Sequence, residues 1–436
     1  MNIPTYIEPE RSQWESLTQR AMEDDPDITE QVKAILEAVR SGGDSALLDF
    51  GKRFDGYDTG GKPAAEALRV GEDEIQAASE SVPQELKDAI VRACSNIRKF
   101  HEAQLPPPVR VETSPGVVCT RKAVPIRRIG LYIPGGRAPL FSTVLMLAVP
   151  ARVAGCRDVI LCTPPGKNGK ANPAIIHAAS LCGVRDLFKI GGAQAIAAMA
   201  CGTQTVPRRD KIFGPGNRFV VEAKRQVGLS EVAIDMPAGP SEVMILADGS
   251  AVPAFVAADF LSQAEHGPDS QSMLVCTSED IAEAVVSEVA RQALNLPRWG
   301  IIRKSLNRSR IIIFQDRKDI IDFANEYAPE HLIVSMRDPG EVADGIYAAG
   351  SLFLGNCSPE SAGDYASGTN HTLPTGGWAR SFSALGLDAY LRRQTCQELS
   401  EEGLRGLADT IRTMARAEGL DAHAAAVEVR IEQKRP

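Results

Sequence analysis

Imidazole, amide and carboxylate groups gather in the second half of this chain, where four of its six histidines lie. Gln263 and His266 close the apolar run 255–261, and a separation of three residues puts two side chains on one face of a helix. Gly267-Pro268 stops that helix, leaving His266 in its last turn, where it can reach into a cleft. Nitrogen and oxygen donors of this kind suit zinc. A histidine at a helix C-terminus also interacts favourably with the helix dipole, so the pair alone leaves both readings open. Glu330-His331 follows Ala328-Pro329 and leads into the apolar run 332–334. Neighbours at the start of a strand point to opposite faces, yet a proline there holds the backbone non-helical and lets both serve one cleft. An imidazole titrates near neutrality and a desolvated carboxyl is raised towards it, which would supply two separate proton acceptors; the plainer alternative is a polar surface turn. The segment 358–371, rich in Ser, Gly and acid and nearly free of aliphatic residues, is expected not to be a core element but a loop ordered by a metal or ligand through Asp364 and His371.

The elements that must position these groups follow from apolar spacing. Helix-spaced residues occupy 28–39, 45–53, 72–81 and 84–104, with Gly42-Gly43 and Pro83 as breaks. From Ile129 onward short apolar runs at 159–162 and 187–190, then 243–246, 273–276, 311–314 and 351–354, alternate with helical stretches, the pattern of βαβ units on parallel sheets. After 374–377 the pattern returns to helix, with Leu404, Leu407, Ile411 and Met414 on one face and Glu418 and His423 beyond. No Gly-x-Gly-x-x-Gly fingerprint follows a strand. Ile190-Gly191-Gly192 and Gly214-Pro215-Gly216-Asn217 are strand–glycine–helix junctions where backbone N–H groups can meet phosphate, or equally ordinary tight turns.

Composition narrows the function classes. At 436 residues the chain exceeds one core and should form two or more domains. With 44% hydrophobic and 24% charged residues it reads as an ordinary globular protein. A net charge of −8 offers no basic footprint for nucleic acid. No apolar stretch approaches a membrane span, and the acidic start lacks a targeting signal, so the expected place is the cytosol. Nine cysteines without Cys-x-x-Cys read as reduced thiols.

Several long runs, in one order, carry a family resemblance: Gly130-Leu131-Tyr132-Ile133-Pro134-Gly135-Gly136, Gly191-Gly192-Ala193-Gln194, Phe213-Gly214-Pro215-Gly216-Asn217, Asp235-Met236-Pro237-Ala238-Gly239-Pro240-Ser241-Glu242, and the segments 262–268, 329–331 and 361–371. Over essentially its whole length the chain resembles the histidinol dehydrogenases. The resemblance implies oxidation of L-histidinol to L-histidine, the last step of histidine synthesis, with two NAD and one zinc per active site. It makes Gln263, His266, Asp364 and His423 the zinc ligands and Glu330 and His331 the catalytic pair. Ser241, His371 and Glu418 become substrate contacts, together with the ligands and His331, while Tyr132, Gln194 and Asn217 would hold NAD.

The expected fold is α/β, with two incomplete Rossmann-like parallel-sheet domains and helical N- and C-terminal extensions. The expected division is an extension at 1–27, a zinc and substrate domain from 28–131 and 241–385, a nested NAD domain at 132–240, and a helical dimerisation extension at 386–436. Similar enzymes pack that tail on the other subunit, so His423 would complete the partner's site in a homodimer. A relative acting on another small amino- or sulfo-alcohol, and a non-catalytic zinc-stabilised dimer, remain alternatives at this stage.

Overall fold

The structure, a computed structural model, describes residues 3–20, 26–57, 59–135, 139–237 and 239–432; Gly136 and Ala238 of the quoted motifs lie outside them. Fourteen strands are found among the described residues: β1 (Thr5–Ile7), β2 (Val109–Ser114), β3 (Val117–Pro125), β4 (Arg128–Tyr132), β5 (Asp158–Thr163), β6 (Asp186–Lys189), β7 (Lys211–Phe213), β8 (Ala233–Ile234), β9 (Glu242–Ala247), β10 (Gln271–Cys276), β11 (Arg310–Ile313), β12 (His331–Ser335), β13 (Ser351–Leu354) and β14 (Leu391–Leu399).

Two all-parallel sheets carry the architecture. One runs β6-β5-β4-β7-β8 and the other β1-β11-β10-β9-β12-β13. Leaving aside β1 at one edge of the larger sheet, in each the chain starts in the middle, winds one way through two strands, then crosses to the other side, the 3-2-1-4-5 order of a dinucleotide-binding sheet without its sixth strand. Their central strands are apolar along nearly their whole length because helices cover both faces: β9 and β10 are buried at every residue. The α/β class and the two incomplete Rossmann-like sheets are therefore as the alternating pattern implies.

Three features depart from the sequence-based expectation. Helices Pro26–Gly42, Glu72–Ser81 and Gln84–Glu102 bury Val32, Leu36, Ile75, Ile90 and Ile97 in cores shared with β4, β5 and β6. Residues 28–131, expected to fold with 241–385, thus belong mainly to the five-stranded sheet. Helical spacing reports that a face is apolar, not which sheet it will cover. The first residues are also not purely an extension, since β1 adds to the edge of the six-stranded sheet beside β11. The tail is not wholly helical either. β14 pairs antiparallel with β3, which pairs with β2, in a third, three-stranded sheet. After its first residue β14 is exposed throughout, so no apolar alternation marks it as a strand.

Candidate functional site

Glu330 and His331 lie where a helix is forced to become a strand. Helix Arg317–Tyr327 ends on Ala328 in the left-handed conformation, with φ 51°, and Pro329 then forbids a further turn. The chain enters β12 at His331, directly beside Val243 of β9. This register hands both catalytic candidates to one backbone unit. The Glu242 amide donates to Glu330 Oε2 at 2.9 Å, and the Glu242 carbonyl lies 3.2 Å from His331 Nδ1. With Nδ1–H donating there, Nε2 is the ring nitrogen left to face a ligand. Arg20 anchors the scaffold by bonding both Glu242 carboxylate oxygens, at 2.5 and 2.8 Å, and the Tyr327 carbonyl at 2.6 Å. Ser241 directly precedes this unit.

Groups that could hold a metal converge on the same edge, where β9 and β12 begin. Gln263 is in the last turn of helix Pro253–Ala264 and fully buried, yet neither its amide oxygen nor its nitrogen has a partner. His266 follows in the turn beyond, its amide bonded to the Gln263 carbonyl at 3.2 Å. Across from them, the segment expected to be a loop contains the short helix Glu360–Tyr365. This corrects the view that it contributes nothing to the core: Glu360 and Gly363 are buried. A Cβ on Gly363 would stand 2.7 Å from the Phe353 ring, so close packing of a small residue replaces aliphatic content.

Ligand-capable atoms of His266, Glu360 and Asp364 all lie within 4.8 Å of one another. Glu360 was not among the sequence candidates. It is 1% exposed, has no hydrogen-bond partner on either oxygen, and sits 4.0 Å from His266 Nε2 and 3.9 Å from His331 Nδ1. Its signal was the i, i+4 spacing to Asp364, which puts two carboxylates on one helix face. Asp364 Oδ1 is 3.7 Å from His331 Nε2, itself buried and unpartnered.

Unpaired buried polar atoms are rare because each costs about 1–3 kcal/mol. Here Gln263, Glu360 and His331 hold five of them, facing a set of nitrogen and oxygen donors. That set fits a divalent ion accepting imidazole, amide and carboxylate. Burial pushes the carboxyls of Glu330 and Glu360 up to about 8. For His331 burial acts downward but is outweighed by Glu360, Glu330 and Asp364, and the imidazole rises to about 10. His266 is pulled below the ordinary imidazole range, chiefly by the protein packed round its ring although 43% of the side chain meets solvent. A neutral imidazole is what a metal binds.

His371 joins the two halves of the molecule. Its Nδ1 lies 2.9 Å from the Asp364 carbonyl and its Nε2 3.1 Å from Thr143 Oγ1, on helix Phe141–Ala154, which follows β4. The neighbouring Asn370 donates to the Met146 carbonyl on that helix at 2.7 Å. The carboxyl edge of the five-stranded sheet is thereby tied to the edge of the other sheet where the metal donors gather.

At that carboxyl edge stand the three nucleotide candidates. The Tyr132 hydroxyl accepts from Gly192 N at 3.0 Å, and burial raises its phenol to about 12. Gln194, 2% exposed, lies in the first turn of helix Gly192–Cys201. Asn217 caps helix Arg218–Gly228, accepting from Phe219 N and Val220 N. Gly214 has φ +130° and passes so near Tyr132 that a Cβ would be 2.1 Å from its carbonyl oxygen. Glu418 and His423 are elsewhere: Glu418 ends helix Glu401–Ala417, His423 lies on helix Asp421–Glu432, both are exposed, and among the described residues no hydrogen bond or ion pair links either to the metal donors.

Known proteins resemble this chain along nearly its whole length. A model of the histidinol dehydrogenase family matches residues 18–431. A histidinol dehydrogenase of Bacteroides fragilis is 53% identical over 427 residues, covering 98% of both chains. One from Escherichia coli K12 is 54% identical over 406 residues, 93% of this chain and 91% of the relative. The crystal structure of histidinol dehydrogenase from Elizabethkingia anophelis superposes with a TM-score of 0.95 at 48% identity, covering 99% of this chain and 98% of that one. With both sheets, the buried Glu330-His331 pair and the donors facing it contained in a match of that extent, the chain belongs to the histidinol dehydrogenase family.

Proposed function

We propose that this chain oxidises L-histidinol to L-histidine through L-histidinaldehyde, with two NAD consumed and one zinc held per active site. The observation that carries the reading is the juxtaposition of the buried pair Glu330 and His331 with the unpartnered donors Gln263 and Glu360 and with Asp364 and His266. When bound, zinc would orient the substrate amine and imidazole, and NAD would take up the hydrides.

The chain's own residues handle protons. Two hydrides must leave one carbon, first from the alcohol and then from the hydrated aldehyde. With zinc offsetting the carboxylates that hold the imidazole protonated in the metal-free protein, and with Nδ1 held by the Glu242 carbonyl, His331 Nε2 would accept the hydroxyl proton in each oxidation. Glu330, fixed by the Glu242 amide, accepts a proton from the water that adds to the aldehyde. A carboxyl kept near neutrality by burial is a stronger base than an ordinary one. Gln263, His266 and Asp364 are the zinc ligands this chain contributes, and Ser241 and His371 are placed to contact substrate.

His423 and Glu418 complete the site from a second copy of the chain. Exposure supports this: the tail helices leave Met414, Leu420 and Val429 open, and the three-stranded sheet leaves Val109, Val111 and Leu399 open. Tyr132, Gln194 and Asn217 hold NAD at the carboxyl edge of the five-stranded sheet, where ligands bind in such folds. Cytosolic residence belongs to the same reading and fits nine unpaired thiols.

Product stoichiometry with L-histidinol and NAD tests the assignment. Two NADH per histidine, with one zinc per chain by metal analysis, is the expected outcome. Turnover confined to a different alcohol, or fully active enzyme free of divalent metal, would overturn it.

A further inference from the structure

Sheets of this strand order read the adenosine ribose of NAD with an acid about 20 residues beyond the first glycine turn, at the end of the next strand along. This chain has none there. β5 ends in Thr163-Pro164-Pro165, and no Asp or Glu occurs between Asp158 and Asp186. The stretch after β6, through Gly191 and Gly192 to Arg209, has none either.

The helical layer brings one in from outside the sheet. After helix Asp44–Phe50 the chain makes a π-helical turn, Gly51–Asp55, closed by Gly56 with φ 65°. Wide turns of this kind are rare and are frequent at functional sites. The turn sets Asp55 over the ends of β5 and β6: a Cβ on Gly191 would lie 2.6 Å from Pro164 and 3.3 Å from Asp55 Oδ1. Just beyond, Tyr57 packs flush on Gly169 of the loop after β5, pinning the segment in place. Asp55 thus flanks Gly191, next to the Gly192 amide that the Tyr132 hydroxyl holds, and its charge is felt at that phenol.

What distinguishes Asp55 is that it is unused. Glu74, also brought to this edge by the helical layer, bonds Lys189 Nζ at 3.2 Å and the Ala171 amide at 3.1 Å. No hydrogen bond or ion pair reaches the Asp55 carboxylate among the described residues, and partial burial pushes it up to about 6. A half-buried carboxylate without a donor is costly unless a ligand supplies one. Ribose hydroxyls are such donors, and a 2′-phosphate in their place would be repelled.

We propose that Asp55 binds the adenosine ribose hydroxyls of the dinucleotide and so selects NAD over NADP. The inference rests on the NAD reading above. The test compares parent, Asp55→Asn and Asp55→Ala by calorimetry with NAD, NADP and 2′-deoxy-NAD, alongside kcat/KM for NAD and NADP and a melting temperature for each variant. The parent should bind NAD in preference to the other two. Both variants should bind NAD about tenfold or more weakly, the loss of a hydrogen bond to a charged group, and should narrow the NAD/NADP ratio by about as much. A structural role alone would lower the melting temperature and leave those ratios unchanged. Unchanged ratios in both variants, with the parent using NAD, would overturn the role of Asp55; failure of the parent to use NAD would instead remove the reading on which it rests.

Discussion

Replacing Glu330 by Gln removes a charge and a proton acceptor while keeping the shape and the bond from Glu242 N, since an amide oxygen accepts as a carboxylate does. Burial raises this carboxyl from an ordinary 4.5 to about 8, a difference worth about 5 kcal/mol in affinity for the proton. Part of that extra basicity is expressed in the transition state of proton transfer. Removing a general base costs about 100- to 10,000-fold, roughly 3–5 kcal/mol of barrier, and that is the loss expected here. The loss should fall on one step only. Mixing Glu330→Gln rapidly with L-histidinol and NAD should release a first NADH near the parent rate and a second far more slowly. His331→Asn should slow both, because its Nε2 is needed whenever the hydroxyl proton leaves. Oxidation of L-histidinaldehyde by Glu330→Gln at the parent rate would refute the reasoning, as would equal slowing of both NADH releases.

Three further outcomes follow from the same geometry. Glu360→Gln, which removes the buried carboxylate 4.0 Å from His266, should weaken zinc binding about 10- to 100-fold in a chelator competition while the metal-free protein melts no lower than the parent. A chain ending before Arg416 should lose zinc and activity together, whereas full zinc stoichiometry by elemental analysis would show that the tail is not needed. Metal-free enzyme should weaken as pH rises: Glu330 and Glu360, raised to about 8, favour the native state below their ordinary 4.5 and lose that contribution towards pH 8, and the contribution of His331 is lost from its ordinary 6.5 through about 10. Denaturant midpoints of the metal-free protein should therefore be lower near pH 9 than near pH 6, with the difference reduced in Glu330→Gln.

Local pattern went far in this chain. The runs that became β5, β6, β9, β10 and β11 were legible because strands covered on both faces are short and continuously apolar, and β13 was legible as an apolar run although it lies at a sheet edge with Leu352 and Leu354 exposed. Gln263 with His266, and Glu330 with His331, were legible because their chemistry is uncommon and their flanking Gly-Pro or Ala-Pro breaks a helix beside them. Apolar spacing also placed the helices 72–81 and 84–104 within two residues of their observed ends.

Tertiary structure alone decided the rest, since burial and partnership join residues far apart in the chain. Which sheet the helices of residues 26–102 cover, that residues 391–399 pair with β3, and that Glu360 stands beside His266 and Asp364 all depend on contacts no local window contains. The same is true of charge. Glu330, Glu360 and Asp55 are ordinary acids as written in sequence, and only the protein folded around them raises their proton affinity and leaves Glu360 and Asp55 without a partner of their own.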